Sequence, residues 1–162
     1  MENLEKIGFG GGCHWCTEAI FQVVKGIKKV DQGYISINAA PEKFYEGVLV
    51  YFNPKLINLE ELIKIHLETH QSLSNHSMRS KYLSAVYTFN EPQQIRVAHI
   101  LNKLQQDEQK EIITKAYTVV EFKESREEIR NYYKTDPERP FCRLYIEPKL
   151  ELLKEKYPNS LN

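Results

Sequence analysis

The stretch "KIGFGGGCHWCTEAIFQVVKG", Lys6 to Gly26, sets how the chain begins to fold. Its first part, "KIGFG", alternates loosely and stops at glycine, which predicts a short strand over 6–10 ending in a turn. Its last part, "CTEAIFQVVKG", puts Ala19, Ile20, Val23 and Val24 on one face and closes on Gly26, which predicts a helix beginning at Cys16 or Thr17. Cys13 then lies on the approach to the helix N-terminus, behind Gly10, Gly11 and Gly12. A thiol in that place has three readings: redox chemistry, a metal, or packing.

Further along, "IKKVDQGYISI" predicts a strand over Ile27 to Ile37. "YEGVLVYFNP" predicts another over Tyr45 to Asn53, stopped by Pro54, with a loop containing Pro41 between the two. "NLEELIKIHLETH", Asn58 to His70, opens on an asparagine cap with a glutamate three residues on and carries an apolar face of Leu59, Leu62, Ile63 and Leu67. "QSLSNHSMRSK", 71–81, is polar and irregular and reads as a loop, and "YLSAVYTF" as a strand from Tyr82 to Phe89. "EPQQIRVAHILNKLQQDEQKEI" predicts a long polar helix with Pro92 in its first turn, and "YTVVEFK" one more strand. "ESREEIRNYYKT" reads as helix up to Asp136-Pro137, followed by a polar loop carrying Cys142 and a short helix near "PKLELLKEKY". Strands and helices alternate, yet several connections are too short for parallel crossovers. The class is therefore α+β, a mixed, mainly antiparallel sheet covered by helices. No repeat or linker divides the chain, so 1–162 reads as a single domain.

The 22 basic residues balance 22 acidic ones, so no strong field favours nucleic acid or an anionic membrane. "MENLEKIGFG" is acidic where a signal peptide is basic, and nothing is long enough to span a bilayer. Three cysteines, two close and one distant, make a poor disulfide scaffold and suit a reducing compartment, which makes the cytoplasm the expected location.

At a helix mouth, unpaired backbone N–H groups and the positive end of the helix dipole favour thiolate over thiol, and thiolate is the nucleophile. The glycines permit positive φ and leave room for a substrate to reach the sulfur. Against this, free cysteines commonly just fill space. Cys13-His14-Trp15-Cys16 is also a Cys-x-x-Cys motif, which suits thioredoxin-like exchange. A zinc-stabilised module is the other alternative, with His66 and His70 at i,i+4 as further ligands, although that pair reads more simply as packing histidines.

"GGGCHWCTEAIF" resembles the active-site segment of the peptide methionine sulfoxide reductases of the A type, which act on the S epimer. "GIKKVDQGY", "EGVLVYFNP", "SKYLSAVY" and "DPERPFC" are similar to further segments of that family, in the same order. The resemblance implies a two-layer ferredoxin-like sandwich and a thiol enzyme that repairs oxidised methionine, with no cofactor and no metal. Its substrate would be methionine S-sulfoxide, free or in proteins, and its reductant thioredoxin or a similar dithiol. By position, Cys13 is implied to be the nucleophile that becomes a sulfenic acid, and Trp15 with His14 the wall of the methyl pocket. Tyr34, Tyr82 and Glu46 would hydrogen-bond the sulfoxide oxygen, with Glu46, kept protonated by burial, as proton donor, and Glu18 would belong to the same segment's binding set. Cys142 would resolve the sulfenic acid, with Cys16 as the alternative. Taken singly, each tyrosine is more often a packing residue.

The chain also departs from the family. His14 stands where it has phenylalanine, and Lys43-Phe44 where it has glycine and histidine. The loop before Tyr82 is shorter, with Ser77 at the family's aspartate; Asn75, His76, Ser77 and Arg79 read either as side chains able to bond a substrate or as an ordinary solvated turn. These changes mark a divergent member with the nucleophile, the glutamate and both tyrosines retained.

Overall fold

The computed structural model describes residues 3–70 and 83–162. The elements run β1 (Glu5–Gly10), α1 (His14–Gln22), β2 (Ile27–Ile37), β3 (Ala40–Phe52), α2 (Leu59–Thr69), β4 (Ala85–Thr88), α3 (Glu91–Gln106), β5 (Lys115–Glu124), a short α4 (Tyr132–Thr135) and α5 (Glu147–Lys156). The strand order is β1-β3-β2-β5-β4, and β4 returns to β1, so the sheet closes on itself. Among the described residues only the β4–β5 pair is parallel, joined through α3; the other four pairings are antiparallel. The α+β class and the mixed, mainly antiparallel sheet are as expected, and closure is the addition.

Alternation along the strands sorts side chains to two faces. Ile7, Phe9, Val48, Val50 and Phe52 face the helices and join Ile20, Phe21, Leu62, Ile63 and Leu153 in the larger core. Ile35, Ile37, Tyr45, Leu49, Ala85 and Tyr87 form a second core on the opposite face. A Cβ at Gly8 would stand 2.7 Å from that of Tyr87, so the chain has room for this buried phenol only because position 8 has no side chain.

Local signals explain most boundaries. Asn58 caps α2 by accepting from Glu61 N at 2.8 Å, and Asn90 caps α3 by accepting from Gln93 N at 2.9 Å, with Pro92 in the first turn. α1 begins at His14 rather than at Cys16 or Thr17, with Cys13 itself in the capping position. Pro41 lies inside β3 and not in a loop. The β2–β3 register shifts between Ile35 and Ile37, and this bulge absorbs the missing N–H. The helix expected over "ESREEIRNYYKT" is interrupted, because Asn131 adopts a left-handed φ of 55° that separates a single 3₁₀ turn, Glu127–Ile129, from α4. Cys142 is not in a polar loop. It opens a π-helical turn, Cys142–Ile146, that runs into α5, and it is 0 % exposed. The strand expected from Tyr82 is seen as Ala85–Thr88.

Candidate active site

The site assembles where β1 hands over to α1. Gly11 has φ +153°, a conformation suited to glycine, and a Cβ there would collide with the His70 ring; at Gly12 none of the described residues comes within 4 Å of a Cβ. Of the three glycines, one thus supplies the backbone turn and another the clearance. The turn delivers Cys13 to the helix mouth, where its carbonyl accepts from Cys16 N at 3.1 Å and Thr17 N at 3.3 Å.

Burial is the leading influence on the Cys13 thiol and pushes it up to about 12. The Trp15 backbone amide pulls it down, the Cys16 thiol and Glu46 carboxylate push it up, and the Cys16 amide pulls it down. The thiolate expected from the helix mouth is therefore not the resting form. The helix amides act in the anticipated direction, but desolvation outweighs them, and at neutral pH Cys13 is a thiol.

Glu46 is the register partner of Tyr34 across β2 and β3, so the two side chains share one face. Glu46 Oε1 accepts from the His14 backbone N at 3.2 Å and lies 3.5 Å from His14 Nε2. The His14 ring is 2 % exposed, sits edge-on to Tyr34 with centroids 5.2 Å apart, and places Nδ1 2.9 Å from the Gly33 carbonyl oxygen. Cys13, His14, Tyr34 and Glu46 thus converge.

Trp15 stacks on Tyr132, centroids 4.0 Å apart and 8° from parallel, and meets Phe141 edge-on at 5.2 Å. Arg139 lies over the other partner of this stack, 4.1 Å from the Tyr132 ring. Sequence reasoning missed Tyr132 and Phe141; the only signal was the crowding of aromatics in "NYYKTDPERPFC" near the last cysteine.

Glu18 is brought elsewhere than to the thiol. It is 2 % exposed and accepts from Gln32 Nε2 at 2.9 Å, Asn131 N at 2.9 Å and Tyr132 N at 3.2 Å. Burial holds its carboxyl above the usual range, opposed by those three hydrogen bonds. Its place is that of a brace: it secures the left-handed turn at Asn131 and so sets Tyr132 against Trp15.

Cys16 is 7 % exposed, and burial pushes its thiol up to about 11, with Lys149 pulling down and Cys142 pushing up. Cys142 is also raised by burial, with Arg139 opposing, and its Sγ–H donates to the Asp136 carbonyl at 3.6 Å. Cys13, Cys16 and Cys142 are all free thiols. His66 donates from Nε2 to the Gly10 carbonyl at 2.8 Å and stacks on His70 at 4.0 Å, while Ser84 Oγ lies 2.8 Å from His70 Nε2. Burial, then His70, holds His66 well below its ordinary range, so the pair is occupied in packing, and no group of three ligating side chains is poised for a metal among the described residues. Asn75, His76 and Tyr82 lie outside the described residues.

A cysteine at a helix mouth, one face shared by a carboxyl and a phenol, and two further thiols behind it define the class of thiol-dependent oxidoreductases that act on a polar, electrophilic centre. The family model for peptide methionine sulfoxide reductase matches residues 5–161, and the chain belongs to that family. A peptide methionine sulfoxide reductase MsrA of Nitratiruptor sp. is 32 % identical over 156 residues, 88 % of this chain and 90 % of the relative. Among solved structures, reduced Mxr1 of Saccharomyces cerevisiae superposes with a TM-score of 0.74 at 21 % identity, covering 86 % of this chain and 89 % of that one. The same yeast protein in complex with Trx2 gives 0.61 at 22 % identity, covering 80 % and 84 %. These likenesses show the shared fold. Among the described residues, no helix is long and apolar enough to cross a membrane.

Proposed function

We propose that this chain reduces methionine S-sulfoxide, free or in proteins, to methionine, with Cys13 as nucleophile and Glu46 as the proton-handling group. The observation that carries the reading is that Glu46, register partner of Tyr34, reaches the mouth of α1, where its Oε1 accepts from the backbone N of His14, the residue after Cys13, at 3.2 Å. A sulfoxide oxygen leaves poorly unless it receives a proton. Cys13 attacks the substrate sulfur, its thiol proton passes to Glu46, and Glu46 supplies a proton to the oxygen. The S–S bond of the adduct so formed and the substrate's S–O bond then break as the hydroxyl moves to the Cys13 sulfur, giving the sulfide and a sulfenic acid, so the substrate sulfur gains two electrons and Cys13 loses two. Tyr34, and Tyr82 by resemblance, hold the oxygen; Trp15, with Tyr132 and Phe141 around it, forms the apolar wall for the methyl group.

Resolution follows the order of the thiols. Cys16, one turn into α1 and tied through its amide to the Cys13 carbonyl, condenses with the sulfenic acid and releases water; Cys142, which acts electrostatically on Cys16, is next for exchange. This order takes first the thiol that is the alternative in the family resemblance, which implies Cys142. A dithiol such as thioredoxin then restores the thiols, in keeping with the yeast relative's complex with Trx2. Three free thiols suit a reducing location, the cytoplasm.

Incubation with racemic methyl p-tolyl sulfoxide and dithiothreitol tests the reading. The expected result is methyl p-tolyl sulfide with the R sulfoxide left over. Insulin-disulfide reduction with no sulfide formed would mark a thiol-disulfide exchange protein instead.

A further inference from the structure

The apolar wall that begins at Trp15 runs on past the site. Trp15 covers one face of the Tyr132 ring at 4.0 Å and Arg139 lies over the same ring at 4.1 Å, so on that side the wall passes under a guanidinium. On the other side it stays apolar. Phe141 meets Trp15 edge-on at 5.2 Å, and Tyr145 tilts against Phe141 at 5.0 Å. The turn Cys142–Ile146 sends Cys142 and Ile146 inward, both 0 % exposed, and leaves Leu144 and Tyr145 outward at 67 % and 57 %. Apolar side chains scattered singly over a surface are ordinary, but two neighbours on one turn, joined ring to ring with the wall beside the nucleophile, make a track with a direction.

We propose that Leu144 and Tyr145 form a subsite for an apolar side chain two or three residues away from the oxidised methionine, and so select which protein-bound methionine sulfoxides this chain repairs. The spacing follows from the rings. They make two steps, 5.2 and 5.0 Å, from Trp15 to Tyr145, and extended chain covers that distance in about three residues at roughly 3.4 Å each. A free amino acid seated at Trp15 has no neighbouring residue to lay on the track; a polypeptide has. Binding there removes apolar surface of both partners from water, and Tyr145, already packed on Phe141, gives up little freedom in doing so. The inference rests on the reductase reading, since it names the substrates of that same site.

The test uses blocked peptides with one methionine sulfoxide and either leucine or serine at the second and third residues on one side of it, together with N-acetylmethionine sulfoxide, which is too short to reach the track. Wild type should show kcat/KM about tenfold or more higher for the leucine peptide than for the serine peptide on at least one side. Leu144→Ser combined with Tyr145→Ser should bring that ratio within about twofold of unity and leave N-acetylmethionine sulfoxide within about twofold of wild type. Tyr145→Phe should keep the preference, because the ring and not the hydroxyl is the binding surface. Equal rates for leucine and serine peptides in wild type, or a preference that survives the double serine variant, overturns the proposal. Trp15 is the chain's single tryptophan, so its fluorescence reports binding at the same wall without turnover. In Cys13→Ser the leucine peptide should bind about tenfold or more tighter than the serine peptide. If no probe yields methionine in wild type, the reductase reading fails and this titration decides the subsite: equal affinities strike it out, and a leucine preference that the two added serines abolish upholds it.

Discussion

The two regions that meet at Cys13 are held in different ways. The mouth of α1 is built by backbone: a glycine at φ +153° and the amides of Cys16 and Thr17 on the Cys13 carbonyl. The segment from Asn131 to Cys142 has little regular structure and is held by side chains, chiefly the Glu18 carboxylate on two of its amides and the Trp15–Tyr132 stack. Changes at the mouth should therefore alter the chemistry with little effect on folding. Changes in the C-terminal segment should alter binding and stability with little effect on the chemical step.

The largest effect is expected for Cys13→Ser, which should abolish sulfide formation, assayed under single-turnover conditions, while leaving the thermal midpoint within about 2 °C. Detectable turnover in that variant would remove Cys13 from its role. Next, Glu46→Gln should slow oxygen transfer about a hundredfold or more, because an amide bonds the oxygen without delivering a proton. Tyr132→Ala should raise KM about tenfold with kcat nearly kept, since it uncovers one face of Trp15; a kcat defect of that size would place the phenol in the chemistry. The alkylation rate of Cys13 by iodoacetamide, followed by mass spectrometry, should climb through pH 10 without levelling, as a thiol pushed up to about 12 requires; a plateau near pH 7 would show a thiolate instead.

The smallest effect is the one that best separates the two regions. Burial raises the Glu18 carboxyl, so the folded chain binds its proton more tightly than the unfolded chain does. The contribution is fully favourable below the ordinary glutamate range and declines as pH rises through the raised value. Glu18→Gln should flatten that decline in urea midpoints between about pH 4 and 7. It should also cost about 1–3 kcal/mol for the amide left unpaired. A kcat unchanged in the same variant would show that Glu18 takes no part in the chemical step.

What could be read from the sequence was what neighbouring residues decide. The asparagine caps at 58 and 90, the strand Ile27–Ile37 and the placement of Cys13 before a helix all follow from residues within one turn of each other. Tyr34 and Glu46 were legible only through the family resemblance, yet hairpin pairing explains why they meet. What escaped was long-range. Asn131 turns left-handed because a carboxylate 113 residues away accepts its amide, and no local pattern announces that. Cys142 follows polar residues but is drawn inside by α5 packing on α1. The upward push on the Cys13 thiol is likewise hidden, because helix amides are visible in a sequence and burial is not.

The three consecutive glycines are not equally open to change. Side chains at positions 10 and 11 would strike Tyr87 and His70, whereas at position 12 none of the described residues stands in the way. An engineer wishing to reshape the doorway to the sulfur has one free tile in the threshold, and a small library there could tune which sulfoxides pass without disturbing the scaffold beneath.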